Sequence, residues 1–223
     1  PRAPVDLVIF DCDGVLVDSE PIAAKVGASI LTSMGWQISA AQVMQRFLGC
    51  TDAYFHAEVE RHLGRRLPIG WQDQCQHLYD AAFAAELRPV EGVVPLLEDL
   101  ERRGIATCVA SNGSHGKMRR TLGATGLHPR FSGRIFSAED VALGKPAPDL
   151  YLHAAREMGV PPDRCVVVED SPPGVAAAQA ADMLCIGFAA LTPPERLAGP
   201  GVTLCGTMTQ VRDELRGLLV SRA

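Results

Sequence analysis

From residue 89 onward, short apolar runs that end in polar residues alternate with amphipathic stretches, whereas only helical patterns occur between about Val17 and Arg88. The first apolar run, Val5–Phe10, is mostly β-branched, suits a strand buried on both faces, and ends at Asp11-Cys12-Asp13-Gly14. Asp18 or Ser19 then caps a predicted helix that accepts Pro21 in its first turn and runs to Met34, with Gly35 as its stop. Ser39 caps a second helix through Arg46, ending near Gly49, and Thr51-Asp52 opens a third that places Tyr54, Phe55, Val59 and Leu63 on one face before Gly64. A fourth spans Trp71–Leu87, apolar at Cys75, Leu78, Tyr79, Ala82 and Phe83. A run of helices directly after a strand predicts a separate helical subdomain, residues 17–88, inserted into a unit made of 1–16 and 89–223.

In that larger unit the pattern predicts helices over Pro95–Arg103, His115–Ala124, Pro148–Met158, Pro173–Ala181 and Met208–Leu219. Between them lie predicted strands Ile105–Ala110, Arg134–Phe136, Arg164–Val168, Leu184–Gly187 and Val202–Cys205. Such alternation specifies an α/β protein: a parallel sheet with right-handed crossovers and helices on both faces. Thr192-Pro193-Pro194 and Gly199-Pro200-Gly201 read as loop punctuation.

Composition narrows the class. A chain of 223 residues with 47% hydrophobic and 21% charged positions can bury a sizeable core. A net charge of −5 disfavours sequence-independent nucleic-acid binding, but a local cation or metal still allows an anionic ligand. Seven scattered cysteines, odd in number and without a CxxC pair, indicate a reducing compartment. With no basic, apolar leader and no long apolar run, the expectation is a soluble, cytoplasmic protein that uses neither membrane nor nucleic acid, as a monomer or weak homodimer.

Four polar groups follow strands or lie in loops of the α/β unit: Asp11 with Asp13, Ser111 with Asn112, Lys145, and Glu169 with Asp170. Each has a plainer role alone, as a polar turn, a helix cap or a solvated lysine. Ligands of open α/β sheets collect at the carboxyl ends of the strands, and these four would meet there. Asp11 and Asp13, two apart on an extended segment, share a side, and Gly14 allows a tight turn after them. Asp11, Asp170 and Glu169 offer hard oxygen ligands suited to Mg²⁺. A carboxylate can attack phosphorus to give an aspartyl-phosphate, with Mg²⁺ and Lys145 offsetting the charge of two anions. The Ser111 hydroxyl and the backbone N–H groups of the Asn112-Gly113-Ser114 turn form a phosphate cradle at a helix amino end. Asp13 would protonate the leaving oxygen and then deprotonate water.

The motifs FDCDGVLVDSE, ASNGS, GKPAPDLY and VVVEDSPPGV, in this order over nearly the whole chain, resemble the haloacid dehalogenase superfamily of Mg²⁺-dependent phosphotransferases. The resemblance implies a Rossmann-like core, with Asp11 as nucleophile, Asp13 as acid/base and further metal contact, Ser111 with Asn112 at the phosphate, Lys145 neutralising charge, and Glu169 and Asp170 at the metal. It also implies that the helical insert is the family's small cap domain, placed as in the β-phosphoglucomutase-like branch, closing over the carboxyl edge. Asp13 speaks against dehalogenation, since the dehalogenases lack that residue. Mutase activity is disfavoured because Ala23, Leu48 and Asp52 stand where the mutase has its cap histidine, lysine and arginine. The loops RFLG and SNGSHGKMRRTLG resemble those of the branch's bacterial 6-phosphogluconate phosphatases. The expected activity is hydrolysis of small phosphorylated metabolites, sugar or sugar-acid phosphates such as 6-phosphogluconate, with Arg46 reaching the far end of the substrate. The alternatives are a phosphoglucomutase-type phosphotransferase and a non-catalytic phosphometabolite-binding protein.

Overall fold

A computed structural model describes residues 4–48, 50 and 52–219. The chain divides into two compact units, Pro1–Val17 with Pro89–Ala223, and Asp18–Arg88. Val17 pairs with both Asp13 and Pro89, so it stays with the first unit instead of opening the insert.

The first unit is an α/β sandwich whose sheet has six parallel strands: β1 (Leu7–Phe10), β2 (Ala106–Ser111), β3 (Ile135–Ser137), β4 (Cys165–Glu169), β5 (Leu184–Phe188) and β6 (Val202–Cys205). Their spatial order is β3-β2-β1-β4-β5-β6, the Rossmann-type order, in which chain direction across the sheet reverses at β1. Phe10 lies level with Val109 on one side and Val168 on the other, so the residues just beyond β1, β2 and β4 emerge together at one edge.

Burial explains β1. Leu7, Val8, Ile9 and Phe10 are all fully buried, as a central strand covered on both faces requires. Leu7 and Ile9 join one cluster with Tyr151 and Ala154 and with Ala177 and Ala178, while Phe10 meets Phe131 edge-on. The helices of the insert are α1 (Glu20–Ser33), α2 (Ala40–Phe47), α3 (Asp52–Leu63) and α4 (Trp71–Glu86). Those of the first unit are α5 (Val93–Arg102), α6 (His115–Ala124), α7 (Asp149–Glu157), α8 (Pro172–Ala180), the short α9 (Pro194–Leu197) and α10 (Met208–Leu218).

The insert packs its own core from Ala24, Ala28, Leu31, Trp36, Ile38, Val43 and Val59, with Phe47, Phe55 and Leu63 against them. Ser39 makes the expected cap on α2, reciprocated by Gln42. Ser19 precedes α1 but makes no side-chain cap. Tyr54 and Leu78, expected on buried faces, are exposed. Gly49 and Thr51 lie outside the described residues. In the first unit α5 begins two residues before Pro95, because Gly92 at φ +83° opens the helix and a proline fits the first turn. The Pro193-Pro194 stretch, expected as loop, starts α9, where Pro194 occupies the first helical position. No helix among the described residues is long and apolar enough to cross a membrane.

Candidate active site

β1 delivers Asp11, whose N–H donates to the Val168 carbonyl at 3.0 Å and so continues the pairing with β4 by one residue. The chain then turns tightly: Gly14, at φ +77°, donates its N–H to the Val17 carbonyl at 2.9 Å. A Cβ on Gly14 would stand 2.0 Å from an Asp170 carboxylate oxygen. Glycine is thus required both for the turn and for bringing Asp170 against it.

β4 delivers Glu169 and Asp170. Glu169 is fully buried, and its carboxylate accepts from five donors. Oε2 takes the Lys145 ammonium at 2.7 Å and the Tyr151 hydroxyl at 2.7 Å. Oε1 takes the Asp170 and Ser171 N–H groups and the Ser171 hydroxyl at 3.1, 3.0 and 2.8 Å. Gly174, in the first turn of α8, permits this, since a Cβ there would lie 1.9 Å from the Glu169 carboxyl carbon.

Lys145 donates a second bond, of 2.6 Å, to Asp11 Oδ1, and its ammonium lies 4.8 Å from the centre of the Tyr151 ring. Its loop is fastened to the end of β2 by Asn112, whose Oδ1 accepts the Lys145 N–H at 2.9 Å and whose Nδ2 donates to the Lys145 carbonyl at 3.0 Å. Gly144 leaves room for that amide, which a Cβ would approach to 2.7 Å. The Lys145–Pro146 peptide is cis.

Electrostatics follow from this packing. Burial, aided by the nearby Glu169 carboxylate, pushes Asp11 up to about 7 against the opposing pull of Lys145. Burial works against charge at Lys145 too, yet Asp11 and Glu169 hold its ammonium above the usual lysine range. Glu169 is likewise penalised by burial, but Lys145, Tyr151 and Ser171 hold it below the usual carboxylate range.

Asp11, Glu169 and Asp170 each place one oxygen within 4.8 Å of the others, an arrangement able to hold a metal ion. With Asp11 ionised, three carboxylates against the single Lys145 ammonium leave two negative charges, which a divalent cation would balance. The charge of that cation would in turn oppose the upward push on Asp11. The donor set is hard oxygen throughout, as Mg²⁺ or Ca²⁺ requires. Asp13 is not among the three; its carboxylate instead meets Lys117 at 2.6 Å.

The sequence-predicted residues of the first unit come together at the ends of β1, β2 and β4. The Asn112 side chain bonds the Lys145 backbone, which is separate from the backbone N–H expected at the phosphate. Of the three N–H groups expected to form the cradle, that of Gly113 goes to Ser111 Oγ; further along, the Lys117 N–H goes to Ser114 Oγ and the His115 N–H to Glu139. Ser111, 3% exposed at the end of β2, keeps its hydroxyl hydrogen as a donor. Arg46 belongs to the insert, where its guanidinium lies 5.5 Å over the Trp36 ring. Lys117 and Tyr151 were not singled out from sequence, although SNGSHGKM and GKPAPDLY contain them.

A sheet of this order with an acidic, lysine-bridged cluster at its switch point is a phosphoryl- or metal-handling type of α/β site in its donor chemistry, and comparison with known proteins gives the family. The family model described as "haloacid dehalogenase-like hydrolase" matches residues 5–182. The chain belongs to this family. It is 30% identical over 211 residues to 6-phosphogluconate phosphatase of Escherichia coli K12, covering 93% of each protein. It is 30% identical over 184 residues to hexitol phosphatase B of the same organism, covering 78% of this chain and 79% of that one. A haloacid dehalogenase-like protein of unknown function from Agrobacterium tumefaciens C58 superposes with a TM-score of 0.84 at 37% identity, over 96% of this chain and 98% of that one.

Proposed function

We propose that the protein hydrolyses phosphomonoesters of small sugars or sugar acids, 6-phosphogluconate among them, through an aspartyl-phosphate on Asp11. The observation that carries this is the Asp11 carboxylate itself, buried at the end of β1 and held at Oδ1 by Lys145. That bond leaves Oδ2 as the attacking oxygen. Ser111 donates to the phosphoryl group, and Lys145 offsets its charge. As the phosphorus–oxygen bond to the leaving group breaks, Asp13 gives that oxygen a proton. In the second half Asp13 takes a proton from water, the water oxygen attacks phosphorus, and Asp11 leaves as the free carboxylate.

Mg²⁺, held by Asp11 and Asp170, would neutralise phosphoryl oxygens and orient them for in-line attack. Glu169 acts at one remove. Its five hydrogen bonds occupy the roughly four lone-pair positions of a carboxylate, so it serves to orient Lys145. The phosphatase names of the two E. coli relatives support the substrate class. All seven cysteines are free thiols, which supports placement in the reducing cytoplasm.

The test is phosphate release from 6-phosphogluconate, a hexitol phosphate and p-nitrophenyl phosphate, with and without Mg²⁺. Magnesium-dependent release is expected from all three, with acid-stable trapping of phosphate on wild-type protein but not on Asp11→Asn. No release from any substrate would leave a binding protein. Conversion of β-glucose 1-phosphate, given with a trace of the bisphosphate, to glucose 6-phosphate as fast as phosphate appears would establish a mutase instead.

A further inference from the structure

Lys117 is used by none of the steps above, yet it makes one of the site's shortest contacts. Its ammonium donates to Asp13 Oδ2 at 2.6 Å across 104 residues of sequence. Both ends of this bridge stand on fixed backbone. On one side, the Ser114 cap accepts the Lys117 N–H, Ser137 donates its hydroxyl to the Gly113 carbonyl at 2.7 Å, and Glu139 accepts the His115 N–H at 2.9 Å. On the other, Asp13 pairs with Val17 inside a turn closed by the Gly14 N–H and by the Leu16 N–H to the Cys12 carbonyl. The lysine stem runs beside the turn that carries Ser111: a Cβ on Gly113 would lie 3.4 Å from both Lys117 Cδ and Ser111 Oγ.

The two lysines of the site thus divide the two aspartates, Lys145 holding Asp11 and Lys117 holding Asp13. We propose that Lys117 is a positioning residue that fixes the Asp13 carboxylate toward the leaving-group oxygen. This rests on the assignment of Asp13 as acid and base. The backbone turn sets where Asp13 stands, but a carboxylate one-fifth exposed has two side-chain torsions left to fix, and the ammonium fixes them. A general acid must come within about 2.6–3.2 Å of the oxygen it protonates, and a misplacement of about 1 Å costs roughly 10²-fold. The competing role, a direct grip of Lys117 on the transferred phosphoryl group, predicts a different pattern of loss.

Leaving groups separate the two. Protonation by Asp13 matters greatly for an alkyl phosphate, whose alkoxide is a poor leaving group, and little for p-nitrophenyl phosphate, whose phenolate leaves without help. The experiment measures kcat/KM, which reports the first transfer, for both esters with wild type, Lys117→Met, Lys117→Arg, Asp13→Asn and the double variant Lys117→Met/Asp13→Asn. Lys117→Met should lose about 10–10²-fold on the alkyl ester and at least about tenfold less on the aryl ester. Lys117→Arg, which keeps the ion pair, should recover most of that loss. In the Asp13→Asn background Lys117→Met should cost little more, because the residue that it positions is already gone.

Equal losses on the two esters, or an undiminished effect of Lys117→Met in the Asp13→Asn protein, would overturn the positioning role while leaving the acid/base assignment standing. If Asp13→Asn itself turned over the alkyl ester at the wild-type rate, the acid/base assignment would fall, and the role of Lys117 with it.

Discussion

Lys145 and Arg46 are the two cations that sequence reasoning placed in the site, and the two units treat them in opposite ways. Lys145, with a side chain 4% exposed, is enclosed in the first unit and bonded to two carboxylates. Arg46 lies exposed on α2, and its recorded ring contact is the face of Trp36. Around Lys145 nearly every polar atom has an assigned partner, so moving one group strands another without water to replace it. Around Arg46 the packing is made by rings: Trp36 meets Phe47 edge-on, Phe47 meets Phe55 edge-on, and Phe55 stacks with Trp71. Apolar contacts of this kind accept volume-conserving exchange at about 1.5 kcal/mol or less. The comparison teaches where variation is tolerated. The acidic, lysine-bridged cluster sits where substitution is costly, and Arg46 sits where it is cheap.

The sharpest way to break that comparison is Asp11→Asn. It should abolish turnover, by ~10⁴-fold or more, with an unchanged circular-dichroism spectrum, because the amide keeps the shape but cannot attack phosphorus. Near wild-type phosphate release would sink the covalent mechanism. Lys145→Met comes next, since it leaves Asp11 and Glu169 facing each other without a cation. Removing one partner of a buried pair costs about 3–5 kcal/mol, to be read from urea unfolding, and activity should vanish with it. Gly174→Ala is a smaller change of the same kind. Its methyl must displace the Glu169 carboxyl, for about 1–3 kcal/mol of stability and a measurable drop in kcat. Unchanged kcat would show that the orientation of Glu169 is not needed.

In the insert the expected effect is selective instead of global. Arg46→Ala should raise KM about tenfold for a sugar-acid phosphate and barely alter that for p-nitrophenyl phosphate, while the lost ring contact costs about 0.5–1 kcal/mol. Equal KM changes on both would remove Arg46 from the account of specificity.

The smallest effect concerns acid stability, which the comparison assigns to the first unit. Asp99 is bonded by Arg216 in bidentate fashion and by Arg103 and Arg102, and the Arg216 and Arg103 guanidiniums hold its carboxyl well below the usual range. A depressed carboxyl stabilises the fold above its unfolded value of 3.8, and that contribution fades as pH falls below it. Between about pH 4 and pH 2 the wild-type Tm should therefore fall more steeply than that of Asp99→Asn. Parallel curves would place the acid-sensitive groups elsewhere.

Much of this was legible beforehand. β-branched runs such as Val5–Phe10 and Arg164–Val168 mark strands because a doubly covered strand has no polar face to show, and β6 spans Val202–Cys205 as read. Asp11, Ser111, Lys145 and Glu169 were readable because each ends a strand or follows a distinctive loop. Less legible was what depends on long-range pairing. Nothing local to Asn112 says that the Lys145 backbone, 33 residues on, takes both ends of its side-chain amide. Lys117 looks like a helix-surface lysine until Asp13 is brought to it. Tyr151 is fully buried, and nothing local says that its hydroxyl ends on Glu169. Tyr54 failed for another reason: at the margin of an apolar stripe, a phenol can lie in or out at similar cost.

The place of β1 at the centre of the sheet has a consequence for how the protein is made. β1 is the first strand in the chain, but its two neighbours are β2, beginning at Ala106, and β4, beginning at Cys165. At ribosomal rates of about 5–20 residues per second, the nascent Leu7–Phe10 segment waits roughly 5–20 s for its first partner and longer for its second. Throughout that interval it is an apolar strand with two open edges, the kind of segment that seeks other chains. The insert, with an apolar cluster of its own, has what it needs to collapse during the wait. Asp11 therefore meets Glu169 and Asp170 only once β4 has docked, whereas Lys145, whose loop Asn112 fastens to the end of β2, is already in the chain before β4 is made.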